Sequence, residues 1–338
     1  MKRLSLSRFS LIAFLTTAAS LCAAQTYTIT DLGTLPGGTE SGAQAINAAG
    51  EITGCATSGS YFEAMLYSGG IMTNLGTLGG TVGQGNAINA SRQVSGYSTN
   101  STTYRAFLYT DGTMTDIGDL GGGSAVAYGL NDSGQVVGSA VTADGSNHPF
   151  LYSNGTMTDL GTLGSPGGND WWNVATGINK SGTAVGTSYD ALGNFLGFVW
   201  RNGKMTALGT LGGQWSQAFA INDKGQISGL AYTKGNASAH AFLLTGKKMI
   251  DLGTLDGPSG TTWGLALNDS GIVVGQATVP SGYHAFIYSG SQMKDLNKLI
   301  PAGTEWDLIS ANGINAAGQI VGVGYIKGQE HGFLLTPR

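Results

Sequence analysis

Apolar residues fall in runs of four to six, broken at short intervals by Gly, Asn, Ser or Asp, and no run has the length or period of a helix. Residues 71–109 show the pattern: IMTNLG, then AIN at 87–89, then QVSGYS, then AFLYT at 106–110. These segments are rich in β-branched and aromatic residues, so each reads as a strand. The same phrase returns seven times. Its Ile-Asn step (Leu-Asn in two copies) places asparagines at 47, 89, 131, 179, 222, 268 and 315, spaced by 42, 42, 48, 43, 46 and 47 residues. Four strands in ~45 residues is the size of one propeller blade.

The turn between the second and third segments is nearly fixed, as NAAG at 47, NDSG at 131, NKSG at 179 and NDKG at 222. Asn can bond its own backbone there, and the closing Gly can take positive φ, so a tight hairpin with a bulge is predicted. Arg92 replaces that Gly once, which predicts one turn with a costlier backbone or a changed shape.

The chain opens on a DLG strand without partners, at 27–33, and ends on HGFLLTPR without a following DLG strand. Seven DLG-type strands and seven Asn units then balance if the first strand completes the last blade. The expected fold is an all-β, seven-bladed β-propeller of four-stranded blades closed by its N-terminal strand, with a linear β-solenoid as the alternative. Closure would protect the sheet edges that an open array exposes.

The phrases DLGTLGG, the asparagine turn with its following strand, and HAFLY resemble the HAF repeat of extracellular bacterial proteins, over essentially the whole chain after position 24. The resemblance implies an exported repeat protein and supplies no catalytic residue.

Export is also the reading of the first 24 residues. Lys2, Arg3 and Arg8 flank the apolar run from Phe9 to Leu15, and small residues lead to a cut after Ala24. Cys22 raises a lipoprotein alternative, which Leu21 disfavours. Residues 25–338 are expected to form one domain, secreted, on the cell surface or periplasmic, and monomeric. Without the three leader bases the charge is −7 instead of −4, with 13 basic and 20 acidic residues. The bases look scattered apart from Lys247 and Lys248, which gives no nucleic-acid footprint. No later run is long enough for a membrane helix. Cys55 is then the only cysteine, so no internal disulfide is available, and a packed thiol is expected.

Alternate connections of a blade lie on the same face, so tight hairpins share one face and long connections the other. Five of the six Trp fall in or beside long connections: Trp171, Trp172, Trp215, Trp263 and Trp306. They are the candidate ligand-binding residues, for carbohydrate or an extracellular protein, because aromatic rings stack on sugars and anchor protein contacts. The alternative is that they wedge between blades.

His148, His240, His284 and His331 each stand two residues before the strand Phe or its equivalent, too far apart for one metal, and are expected to be structural. Asp31, Asp116, Asp159, Asp251 and Asp295 recur at one site and are expected to accept local hydrogen bonds. No catalytic residue, metal or cofactor is assigned. The competing class is a polysaccharide-acting enzyme, drawing on Glu40, Asp170, Asp256, Glu305 and Asp307, and a third is a purely structural envelope or matrix component.

Overall fold

The structure is a computed structural model that describes residues 26–101, 103–165 and 171–338. It contains seven four-stranded antiparallel sheets arranged as the blades of a propeller, and its only helical pieces among the described residues are two short 3₁₀ turns, Lys234–Asn236 and Leu296–Lys298. The solenoid alternative is excluded. Blades 1 to 6 span 41–76, 83–116, 121–159, 174–207, 212–251 and 262–295. Blade 7 combines 306–337 with Tyr27–Asp31, whose register runs from Tyr27 opposite Pro337 to Asp31 opposite Phe333. The N-terminal strand thus closes the ring. Residues 1–24, read from the sequence as a leader, lie outside the described residues.

Two features of the phrase set how a blade packs. The strand phenylalanines Phe107, Phe150, Phe198, Phe242, Phe286 and Phe333 are fully buried, with Met65 in that place in blade 1. The glycine opposite, in the second strand, leaves room for the inner strand: a Cβ at Gly54, Gly138 or Gly229 would collide with the carbonyl oxygen of Gly42, Val126 or Gln217. The cause is a bulge that every inner strand carries, seen as register shifts such as Ala43/Ala45, Ala127/Gly129 and Ala218/Ala220. Alternation alone does not reveal these bulges.

The asparagine turn is the predicted bulged hairpin, with Asn47 N–H donating to Glu51 O and Gly50 N–H back to Asn47 O, Gly50 having φ +81°. Arg92 keeps the turn's shape and takes φ +62°, while its guanidinium reaches Glu51 of blade 1 at 2.8 Å. Each Asn side chain also does more than shape its own turn. In six of the seven its Oδ1 accepts backbone N–H groups two and four residues on, as in Asn222 from Lys224 and Gln226, and in Asn315 the one four residues on. Each Nδ2 donates to the carbonyl of the equivalent Asn in the next blade. These bonds run Asn47 to Asn89, Asn89 to Asn131, Asn131 to Asn179, Asn179 to Asn222, Asn222 to Asn268, Asn268 to Asn315 and Asn315 back to Asn47, at 3.0–3.2 Å. All seven side chains are buried.

This closed ring gives a direct test. Asn222→Ala leaves the buried Asn268 carbonyl without its donor, at a cost of about 1–3 kcal/mol before relaxation, and frees the part-buried N–H groups of Lys224 and Gln226 at a smaller cost. Asn222→Asp keeps the acceptor but sets a second oxygen against the Asn268 carbonyl, so urea denaturation is expected to show at least as large a loss for Asp as for Ala. An Asp variant as stable as the parent would show that the blade-to-blade bond contributes nothing.

Candidate functional site

The long-connection face carries paired aromatic rings in blades 4 to 7. Trp172 meets Phe195 with centroids 5.8 Å apart, Trp215 meets Tyr232 at 5.2 Å, Trp263 meets Tyr283 at 6.0 Å and Trp306 meets Phe333 at 6.2 Å, all edge to face. Holding each indole on a strand-borne ring fixes its direction, and burial then separates the five. Trp171 and Trp172 are 67% and 57% exposed, Trp215 is 40% exposed, and Trp263 is half-buried. Trp306, also half-buried, leans on the fully buried Phe333 and packs against the core of blade 7. Trp215, Trp263 and Trp306 lie within inner strands and not in loops, because the strands Gly212–Ile221, Thr262–Leu267 and Trp306–Ile314 start earlier than the sequence suggests.

Trp215 and Trp263 line one open cleft of about 590 Å³ together with Phe195, Tyr232 and Tyr283. Its polar lining is amide and hydroxyl, from Gln217, Asn236, Ser238, Ser259, Thr261 and Thr278. Asn236 sits at φ +57° and is held by Gln214, its Oδ1 accepting Gln214 N–H at 2.9 Å and its Nδ2 donating to Gln214 Oε1 at 2.9 Å. A rigid aromatic wall beside uncharged donors and acceptors suits a polyhydroxylated ligand. Trp171 and Trp172 stand beside this region on blade 4, with Trp172 against Phe195.

The recurring histidines and aspartates prove to be partners. His148 Nδ1 meets Asp159, His240 meets Asp251, His284 meets Asp295 and His331 meets Asp31, each at 2.8–3.0 Å. Since a carboxylate only accepts, Nδ1 carries the proton. Each carboxylate also accepts a backbone N–H two residues on, as Asp31 does from Gly33 and Asp251 from Gly253. Of the blades lacking His, two change both members, Glu63 bonding Asn74 and Leu196 sitting in the blade that has Ala207, while blade 2 keeps Asp116 and sets Arg105 against it and Asp119. Hydrogen bonds to Asp116 and Asp119 raise the Arg105 pKa above its ordinary value despite burial. For Asp119, burial pushes the pKa up, but N–H donors from Gly123 and Gly121 and the Arg105 guanidinium outweigh it and hold the carboxyl below its ordinary value. The pairs therefore tie the third strand to the fourth in every blade but blade 4.

Blade 5 extends one pair further: Ser238 Oγ lies 2.9 Å from His240 Nε2, and His240 Nδ1 lies 2.9 Å from Asp251. That is the connectivity of an acyl-transfer triad. Three other blades carry the same His–Asp pair without the serine contact, and Ser238 Oγ is shared with Thr233 Oγ1 at 3.1 Å, so the link belongs to blade bracing. Two of the candidate acids are engaged by bases. Glu305 pairs with Lys327 at 3.6 Å and Asp307 faces His284 Nε2 at 3.7 Å, both in exposed positions, while Asp170 lies outside the described residues.

Cys55 is half-buried in the second strand of blade 1, and burial, helped by Glu330, pushes its thiol pKa up to about 11. A thiol raised in this way is protonated at neutral pH and carries little nucleophile. Labelling with iodoacetamide at pH 8 is expected to run at least about tenfold slower in the folded protein than in urea. Equal rates would remove the packed-thiol reading.

No family model matches the chain, and no curated protein does. Among solved structures it is similar to the β-propeller domain of the Trilobed protease from Pyrococcus furiosus, with TM-score 0.54 and 10% identity over 93% of this chain and 95% of that one. It is likewise similar to a puromycin-hydrolyzing peptidase from Mycobacterium tuberculosis, with TM-score 0.54 and 13% identity over 85% of this chain and 49% of that one. TolB from Acinetobacter baumannii matches at TM-score 0.48 and 13% identity, over 69% of this chain and 59% of TolB. The chain thus spans about half to three fifths of the peptidase and of TolB. At such identities the likeness shows the propeller fold and nothing finer.

Proposed function

We propose that the protein is an exported, non-catalytic binding module of the HAF-repeat kind, and that it takes carbohydrate in the aromatic cleft on its long-connection face. The observation that carries this reading is the cleft lined by Phe195, Trp215, Tyr232, Trp263 and Tyr283, with only amide and hydroxyl groups as its polar complement. Sugar rings present C–H faces to aromatic walls and hydroxyls to such donors, and rings already clamped edge to face lose little freedom on binding. Export is supported by the leader-like first 24 residues. An extracellular protein is the alternative ligand, drawing on the more exposed Trp171 and Trp172.

A glycan array probed with residues 25–338 tests the reading. Retention of a neutral glycan is expected, and Trp215→Ala or Trp263→Ala is expected to weaken it about tenfold or more, as loss of an aromatic anchor does. Absence of any retained glycan, or single variants that bind like the parent, would sink the carbohydrate reading. Trp306→Ala should instead lower the unfolding temperature, because that ring packs on Phe333.

A further inference from the structure

The opposite face, formed by the tight hairpins, gathers charge that is scattered in the sequence. Of the 13 basic residues beyond position 24, six stand on this face of the adjacent blades 4 and 5: Lys180, Arg201, Lys204, Lys224, Lys247 and Lys248. All six are exposed in a chain whose net charge without its leader is −7. Three of them, Arg201, Lys204 and Lys224, line a cleft of about 540 Å³ between the two blades, with Ser181, Thr183 and Thr206 supplying hydroxyls. Among the described residues none of these three cations has a side-chain partner. The one acid in the cleft, Asp223, already faces Lys180 Nζ at 3.4 Å and accepts the Lys180 N–H.

This cleft exists because blade 4 departs from the repeat at two coupled places. In the other blades the Arg201 position holds Ser or Thr: Ser68, Thr110, Ser153, Thr245, Ser289 and Thr336. In four of them that hydroxyl bonds the side chain that ends the asparagine turn, as Ser68 bonds Glu51 at 3.0 Å, and Thr110 accepts from Gln93 at 3.1 Å. Thr245 likewise accepts from Gln226 at 3.2 Å. Blade 4 has the shorter Thr183 where those turns have Glu or Gln, so the link is missing and the groove beneath Arg201 stays open. Lys204 sits after Asn202 and Gly203, whose φ of +51° and +76° make a tight two-residue turn that fixes its starting point.

We propose that this cleft is a second binding site, specific for an anionic polysaccharide whose carboxylates pair with Arg201, Lys204 and Lys224. Arg201 offers a planar fork for a carboxylate, and the two lysines add point charges along the groove. A groove with hydroxyls suits a chain of sugar acids. A lipid surface fits less well, since none of the large apolar side chains exposed on blades 4 and 5 stands on the hairpin face, and interfacial binding needs such wedges. The site is on the other face from the aromatic cleft, so it stands whether or not that cleft binds sugar.

Calorimetric titration of residues 25–338 with polygalacturonate at low salt tests the proposal, with dextran as the neutral chain and phosphatidylglycerol vesicles as the lipid arm. Polygalacturonate is expected to bind, dextran not to bind at this site, and added salt to weaken the interaction. The triple variant Arg201→Gln, Lys204→Gln, Lys224→Gln should weaken it about tenfold, the product of three exposed ion pairs worth a few-fold each. A charge-matched variant on blades 6 and 7, Lys294→Gln, Lys298→Gln, Lys327→Gln, should bind like the parent. Equal weakening by both variants, no binding of polygalacturonate, or binding of vesicles alone would each overturn the proposal. Unchanged circular dichroism of the two variants ensures that the comparison reads binding.

Discussion

The ring of seven asparagine side chains is the constraint on which the blades depend. A propeller is held between blades mostly by nondirectional packing, such as the fit of small inner-strand residues against a neighbour's backbone. The asparagines add direction: each one, itself buried, accepts N–H groups of its own turn and donates to a buried carbonyl of the next. A net contribution near 1 kcal/mol per bond is modest. Leaving the same groups buried and unpaired costs more, and this asymmetry accounts for an Asn at every copy while its neighbours vary as Ala, Asp or Lys. The last bond returns from Asn315 to Asn47, so the ring of bonds is closed.

Much of this fold was legible in the sequence because its rules act within a blade. The Asn turn, the positive-φ glycine, the short strands and the unmatched first strand all follow from local chemistry and counting. What crosses blades was not legible. Nothing in the phrase says that Asn Nδ2 reaches a carbonyl about 45 residues away, and strand alternation does not reveal the bulge that makes Gly54 obligatory. The His–Asp braces lie between these cases. Their signal was present in the paired changes Glu63 with Asn74 and Leu196 with Ala207, yet it becomes interpretable only when Phe150 is seen opposite Asp159.

The departures from the phrase segregate by face, and both proposed binding surfaces lie on them. On the long-connection side they are aromatic, and tryptophans that look equivalent in sequence differ in role because burial differs: Trp215 opens to a cleft while Trp306 supports a core. On the hairpin side they are cationic, where sequence distance concealed proximity. Lys180 and Lys224 are 44 residues apart in the chain but occupy adjacent turns around the same axis. The scaffold therefore keeps two surfaces of different chemistry apart with the thickness of a blade between them.

The pairing of Tyr27–Asp31 with the last strand has a topological meaning. Arg338 N–H donates to Thr26 O at 2.9 Å, so the first and last strands meet where the other six blades have their outer tight hairpin, such as Asn202-Gly203 in blade 4. At this one of seven equivalent corners hydrogen bonds stand in for a continuous turn. Blade 7 and blade 1 are as much neighbours as any other two, with Asn312 bonded to the Ala43 carbonyl and Val323 beside Gly42. First and last are then properties of synthesis, and the folded protein has only an order around a circle.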